Sequence, residues 1–487
     1  MSYQENPGQG TEFHTDQAEV WHRVHPASPA VRGWLAVLAV MVIFGRNFIE
    51  QLVQTTASGG RHEGEGLPPW VIILVIGGAI VVFGIAFVLS WFFTRYQVTD
   101  DHVRINTGFI FRQQRQARID RVQAIDVVQP LLARIFGLAE LKFEVADSGK
   151  SAMKLSFLKM DEAMRLRAAI LARAAGVTVD PERPTLVQEA PEQEILRLSP
   201  GRVIAASLFS TLTVIMLVIA AVLVWMVLMG WWAALIGFFP VILGLLSGYW
   251  RSFSNNFNFR VALSPDGVRL HYGLLETRAQ TIPPGRVQAV GISQDFIWRI
   301  FGWYQVHVNV AGYGDQHQEH RTTVLPLGTE AEVFAVLALV FTDPGVEEPL
   351  SVFRAGLRGK GEAEGFVHSP ARAAWLGPLV WRRNAYRATR TALLCRHGVL
   401  TRRLQVVPHE RTQSLKLRQG LLQRFLGLVD FELQSTPGPI KPLVRHLDLR
   451  VGRSLFMEQA DRAARARRAD AGRSEHWMHE LPREGQS

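Results

Sequence analysis

One stretch of sequence recurs three times at a fixed spacing, and this repeat restricts the fold more than any other feature of the chain. Each copy contains a glycine, then Arg-x-Gln, then Arg-x-x-Gly, with 29 residues from the first glycine to the last. The shared positions are Gly108, Arg121, Gln123, Arg134 and Gly137 in the first copy; Gly273, Arg286, Gln288, Arg299 and Gly302 in the second; and Gly398, Arg411, Gln413, Arg424 and Gly427 in the third. Identical, ungapped spacing predicts three copies of one structural unit.

The pattern within one copy predicts short antiparallel strands closed by a helix. In the first copy, Val122 to Val128 alternates in polarity and is rich in β-branched residues, which is typical of a strand. Leu131 to Phe136 is about one helical turn, and Gly137 would end it in a left-handed conformation. An apolar face on the segment from Ala163 to Ala174 predicts the terminal helix. We therefore expect an α+β unit of about 80 residues in which a helix covers one end of a small curled sheet.

Long uncharged stretches predict membrane-spanning helices. Leu67 to Phe93 has 27 residues without a charge, which is enough for one span. Val203 to Trp250 has 48 uncharged residues, which is enough for two helices joined by a turn near Gly230. These segments predict one transmembrane hairpin before the first soluble domain and another before the second.

A first span before Leu67 requires a helix longer than its uncharged stretch. Gly33 to Gly45 is uncharged but only 13 residues long, so a spanning helix must continue through Arg46 and Glu50. These two residues, spaced i and i+4, could form an intramembrane ion pair or could extend to the polar surface at the helix end.

Loop charges predict the orientation. The loop before Leu67 carries Arg61, Glu63 and Glu65, whereas a cluster of arginines from Arg95 to Arg121 follows the next span. The positive-inside rule then places both termini and the soluble regions in the cytoplasm.

The sequence contains no recognisable catalytic pattern. Its one cysteine, Cys395, excludes an internal disulfide bond and has no fixed histidine partner. His317 and His320 lie in a polar loop, but their frame does not recur in the other copies, so no metal site is predicted. We expect a protein that is not an enzyme and needs no cofactor.

The repeated arginines and glutamines allow two interpretations. Arginines on membrane-tethered domains could bind lipid phosphates or the carboxylates of a partner. Alternatively, each arginine could bind backbone carbonyls of its own domain and fix the short helical turn to a strand. The invariant distance from two glycines favours the second interpretation.

The repeat resembles a known family. Tyr96-x-x-Thr99 before the first glycine, the Arg-x-Gln and Arg134-Ile-Phe-Gly137 motifs and the preceding apolar hairpin resemble the bacterial pleckstrin-homology-like domain of the YdbS/YdbT membrane proteins. Three repeats resemble the larger, YdbT-type member. The resemblance implies a seven-stranded PH-like β-barrel with a C-terminal helix in each repeat and a location in the bacterial plasma membrane. It implies no established ligand.

The repeat predicts a domain plan, in which the third repeat lacks a hairpin. It runs as follows: N-terminal segment 1–32, hairpin 33–94, PH-like domain 95–176, linker 177–200, hairpin 201–252, PH-like domain 253–344, linker 345–383, PH-like domain 384–468 and disordered tail 469–487.

These features predict a membrane-anchored, non-catalytic binding or scaffold protein. Its cytoplasmic domains would engage the lipid bilayer, a peptide or a partner membrane protein, which could be a smaller single-domain family member or a second copy of the chain. A component of a transport or export complex is the alternative. Nucleic acid is not an expected partner.

Overall fold

The computed structural model describes residues 21–28, 69–99, 101–108, 112–145, 153–174, 192–265, 267–283, 285–311, 322–341 and 343–480. These residues form two compact units. The first contains most of the first repeat, and the second contains the strand 123–130 and everything from residue 192 onward.

Each repeat contributes seven strands among the described residues, together with short helices. The first repeat consists of β1 His22–Arg23, α1 Pro69–Phe92, β2 Arg95–Val98, β3 His102–Thr107, β4 Gln113–Arg118, β5 Val122–Pro130, α2 Leu131–Ile135, β6 Leu138–Val145, β7 Met153–Lys159 and α3 Met160–Ala174. The second consists of β8 Gln193–Arg197, α4 Pro200–Leu208, α5 Thr211–Leu228, α6 Ala233–Asn256, β9 Arg260–Ser264, β10 Gly267–Tyr272, β11 Glu276–Ile282, β12 Val287–Gln294, α7 Trp298–Phe301, β13 Tyr304–Val310, β14 Thr323–Gly328 and α8 Glu330–Val340. The third consists of α9 Pro349–Arg358, β15 Val367–His368, β16 Ala385–Ala388, β17 Ala392–His397, β18 Arg402–Pro408, β19 Ser414–Arg418, α10 Leu421–Phe425, β20 Leu428–Gln434, β21 Leu443–Asp448 and α11 Leu449–Glu480. This is the antiparallel α+β plan that the sequence predicted.

The strands of one repeat do not all belong to one sheet. In the third repeat, β15 to β18 join β12, β13 and β14 of the second repeat in a seven-stranded sheet, whereas β19, β20 and β21 form a sheet of their own. The pairing that links the repeats is β12 with β18, antiparallel, from Val290 opposite Val406 to Gln294 opposite Arg402. The second repeat receives β5 in the same way, beside β11. Neighbouring repeats are thus joined edge to edge.

Strand β17 shows how this sheet forms a shared wall. Its residues Ala392 to Arg396 are all buried. Leu394 belongs to the hydrophobic core of the second repeat, while Leu393 and Cys395 belong to the core of the third. Both faces of the strand are covered, so its sequence is a continuous apolar run.

The first glycine of each repeat follows a strand and adopts a positive φ: 98° at Gly108, 115° at Gly273 and 80° at Gly398. The second glycine of each repeat ends the short helix with φ of 63° or 64°. These are left-handed conformations that other residues adopt only with strain. The equivalent glycines therefore have the same conformational role in every copy.

The apolar stretches differ in detail from the prediction. Among the described residues, one helix, Thr211–Leu228, is long and apolar enough to cross a membrane. The stretch from Val203 to Trp250 holds three helices instead of two, because Ser210 caps the start of α5 and separates it from α4. The turn at Gly230 lies between α5 and α6 as predicted. The proposed span around Gly33–Gly45, with Arg46 and Glu50, lies outside the described residues.

Two segments expected to be irregular are helical. Residues 345–383, expected as a linker, contain α9, whose Val352, Phe353 and Leu357 are buried in the core of the second repeat. Residues 469–480, expected to be disordered, continue α11. This segment has no proline and contains alanine, arginine and glutamate, which favour helix.

Candidate functional site

The short helix after the Arg-x-Gln motif is the most distinctive site that the repeats share. In the second repeat this helix is α7, and it packs against the start of the span-length helix α5. The Thr211 hydroxyl, on the first residue of α5, donates to the Asp295 carboxylate at 2.6 and 2.7 Å. The indole of Trp298 donates to the Ala206 carbonyl at 3.3 Å, and the rings of Phe209 and Phe301 lie 4.9 Å apart. The helix α7 is therefore fixed at one end of α5.

The outward side of this turn is apolar and exposed. Ile300 is 80% exposed, and Phe296 and Phe301 are exposed as well. The corresponding helices of the other repeats also expose large apolar side chains: Leu131, Ile135 and Phe136 at α2, and Leu421, Leu422 and Phe425 at α10. Exposure of large apolar side chains to water is unfavourable, and its repetition at the same place in three copies indicates an interaction surface.

The arginine of the Arg-x-x-Gly motif lies on this turn, and in the second repeat, as Arg299, it binds backbone carbonyls. Its guanidinium donates to the Leu400 carbonyl at 2.6 Å and to the Val399 carbonyl. Both acceptors lie in the turn between β17 and β18, which is in the following repeat. We expected the arginine to bind carbonyls of its own domain, and for Arg299 this is wrong. Arg134 and Arg424 occupy the same position and are exposed.

The Arg-x-Gln residues do not form one shared site. Gln288 is buried and its amide donates to the Arg286 carbonyl at 3.4 Å, whereas Gln413 is exposed. Arg411 lies 3.9 Å from Asp470 of α11. Arg121 is exposed, and the side chain of Gln123 lies outside the described residues. The contacts described for the second and third copies therefore differ from each other.

Sequence reasoning missed two arginines that follow a Ser-Pro pair at the same distance, after Ser199-Pro200 before the second domain and after Ser369-Pro370 before the third. Arg202 forms two 2.7 Å hydrogen bonds with Glu332, in the first turn of α8. Arg372, at the same distance from its Ser-Pro motif, binds Asp448 just before α11. The Arg202 guanidinium lowers the pKa of the Glu332 carboxyl. The shared Ser-Pro-x-Arg spacing was the signal that could have identified them.

Two buried arginines hold the end of α9, and neither has a carboxylate partner among the residues that the structure describes. Arg383 donates to the carbonyls of Gly359, at 2.5 Å, and Gly356, at 3.3 Å. Arg396 donates to the Ala355 carbonyl at 3.2 Å, and its guanidinium lies 4.6 Å from the Phe366 ring centre. The carbonyls at the end of α9 and the negative end of the helix dipole stabilise these cations. Burial lowers the pKa of Arg383 to about 9 and that of Arg396 to about 10.

Two observations concern the reactive side chains among the described residues. Burial raises the pKa of the Cys395 thiol to about 12, so the thiolate is disfavoured. No group of three or more His, Cys, Asp or Glu side chains converges on a metal position within the described part of the chain. His317 and His320 lie outside it.

Comparison with known proteins decides the family. The sequence model of the bacterial PH domain matches three times, at residues 37–174, 203–342 and 352–463. The chain belongs to the bacterial PH domain family. The three matches coincide with the three copies of the glycine-spaced motif, which is therefore the signature of this domain in the chain.

A curated bacterial PH domain relative is the UPF0699 transmembrane protein YdbT of Bacillus subtilis (strain 168). It is 26% identical over 272 residues, which cover 50% of this chain and 55% of YdbT. The chain thus matches about half the length of this relative. No solved structure matches the chain.

Proposed function

We propose that the chain is a non-catalytic, multi-span membrane protein whose PH domains lie on the cytoplasmic side and contact lipid headgroups through the apolar turns α2, α7 and α10. The observation that carries the proposal is the attachment of the α7 turn to the start of α5, through Asp295 just before α7 and Thr211, the first residue of α5. If α5 crosses the bilayer, the Thr211–Asp295 hydrogen bonds hold α7 at the level where the span meets the headgroups.

The chemistry of the turns supports a lipid ligand. Exposed phenylalanine, leucine and isoleucine side chains beside an arginine suit the boundary between headgroups and acyl chains, where apolar groups enter and cations remain near phosphate. The span-length helix, the long uncharged α1 and the transmembrane label of the relative YdbT support a membrane location.

The third repeat gives the sharpest test, because α5, the one helix among the described residues that is long and apolar enough to span, belongs to the second repeat. Single cysteines at Phe425 and at Met457 can be labelled with an environment-sensitive fluorophore in the full chain reconstituted in vesicles. Phe425 is 89% exposed on the turn, and Met457 is 65% exposed on α11, so Met457 is a matched apolar control. The native Cys395 is buried and should not react.

We expect spin-labelled lipids to quench the fluorophore at position 425 about two- to threefold more than that at position 457, since only the turn would enter the interface. Equal, weak quenching at both positions would show that the turn stays in water and would contradict the proposal.

A further inference from the structure

We propose that the third repeat binds the first repeat of a second copy of this chain by antiparallel pairing of β19 with β4. The inference extends the proposed function, because both copies must present their domains on the same side of one membrane. It rests on the way the repeats are already joined within the chain.

The two junctions inside the chain have the same register. At the first, Val128 of β5 faces Arg278 of β11, and at the second, Ser293 of β12 faces Arg403 of β18. Val128 and Ser293 each lie 20 residues after the first glycine of their repeat, and Arg278 and Arg403 each lie 5 residues after theirs. One pairing rule therefore describes both junctions.

The chain also carries both halves of this junction in unpaired form. Among the described residues, β19 pairs only with β20, and β4 pairs only with β3. Strand β19 is the counterpart of β5 and β12, which pair with the following repeat. Strand β4 is the counterpart of β11 and β18, which are the strands that β5 and β12 pair with. An unpaired strand edge is a ready template for pairing with another chain.

Two side chains that secure the second junction have exposed counterparts at the end of the third repeat. Arg299 binds the turn before β18, and its counterpart Arg424 is exposed, as Arg134 is at the first junction. Asn309 binds the Ile440 backbone across the junction, and its counterpart Gln434 is exposed. The third repeat thus ends in a free strand edge beside two exposed polar side chains, Arg424 and Gln434, and Gln434 accepts from the Ser414 hydroxyl at 2.9 Å.

Applying the pairing rule gives a specific register between two copies. Arg418 should face Gln113, Lys416 should face Arg115, and Ser414 should face Ala117. All of these residues lie within β19 and β4. The pair Lys416 and Arg115 brings like charges together, which weakens the contact and makes it dependent on salt concentration. A contact of this type joins different surfaces of the two copies, so it generates rings or open chains.

Disulfide crosslinking between two differently tagged full-length chains tests both contact and register. The pairs Lys416→Cys with Arg115→Cys and Arg418→Cys with Gln113→Cys are in register. The pairs Lys416→Cys with Gln113→Cys and Arg418→Cys with Arg115→Cys use the same four variants two residues out of register. Directly opposite positions suit a disulfide, whereas the diagonal Cα distance of about 7–8 Å exceeds its usual range.

We expect the in-register pairs to crosslink at least about fivefold faster in mixed vesicles. Lys416→Glu in the chain that carries Arg418→Cys should raise crosslinking to Gln113→Cys about two- to tenfold, because repulsion from Arg115 becomes attraction. Arg424→Ala should lower the crosslinking rate of the same pair.

Equal rates for all four pairs, or no crosslinks, would overturn the inference. If crosslinks fail while lipid quenching at position 425 persists, only this inference fails; if crosslinks form without quenching, only the lipid contact fails.

Discussion

The junction between the second and third repeats contains one buried amide, that of Asn309. Asn309 on β13 is fully buried, its Nδ2 donates to the Ile440 carbonyl at 2.8 Å, and its Oδ1 accepts from the Ile440 N–H at 3.1 Å. Ile440 is itself buried, between β20 and β21. Replacing Asn309 by alanine would leave both backbone groups without a partner in a place that water does not reach.

The expected loss can be estimated from these contacts. An unpaired buried donor or acceptor costs ~1–3 kcal/mol, so two such groups give a loss of about 3 kcal/mol even with partial relaxation. For a folded region of this size, that lowers the melting temperature by roughly 6–12 °C. A local opening that becomes easier by about 3 kcal/mol should speed hydrogen exchange of the Ile440 amide by ~100-fold.

Gln434 provides the matched control because it occupies the position of Asn309 in the third repeat but is exposed. Gln434→Ala should change stability by less than about 0.5 kcal/mol. Thermal melting and hydrogen exchange with mass spectrometry of the full chain in detergent measure both effects. If Asn309→Ala melts like Gln434→Ala and the Ile440 amide stays protected, the amide does not hold the junction and the reasoning is refuted.

Two further predictions concern pH and backbone conformation. Burial, reinforced by nearby arginines, lowers the pKa of His397 from 6.5 to about 4, so the unfolded chain binds more protons between these values. The contribution of neutral His397 to the free energy of unfolding should be fully present above about pH 6.5. It should fall at up to ~1.4 kcal/mol per pH unit on acidification towards pH 4. Melting at pH 7.5 and 5.5 should show a smaller loss in His397→Gln, and an unchanged loss would contradict the assignment. In the second repeat, Gly302→Ala should cost about 1–2 kcal/mol, because its φ is 63° and space is open around it. Gly273→Ala should cost more, because its new Cβ would overlap the Glu276 carbonyl; denaturant titration giving equal losses would argue against this difference.

The sequence predicted those parts of the fold that local chemistry controls. The glycines at the strand turn and at the end of the short helix require positive φ, so their spacing indicated equivalent turns in all three copies. The pairing of β12 with β18 could not be predicted, because it joins residues more than 100 positions apart and depends on edges that look alike in every copy. One signal was present: Ala392 to Cys395 is apolar at every position, which indicates a strand covered on both faces.

The sequence predicted where the turn with the Arg-x-x-Gly motif lies, but not which groups its arginine contacts. The Arg-x-x-Gly motif indicated the turn itself, and Gly302 ends it as expected. Whether Arg299 would bind its own repeat or the next depended on where the following repeat docks, which local sequence does not encode. Likewise, Arg383 and Arg396 could not be recognised as partners of a helix end, since the helix lies in a segment that seemed to be a linker.

The shared wall has a consequence for how such a chain can change during evolution. Adjacent residues of β17 fill different cores: a substitution at Leu394 disturbs the second repeat, whereas one at Leu393 disturbs the third. Neither repeat can then be exchanged for a foreign PH domain by simple gene fusion, because the newcomer would have to match the side chains of its neighbour as well as its own. The second and third repeats should therefore be inherited together, and tolerated variation should concentrate in the exposed turns instead of in β17.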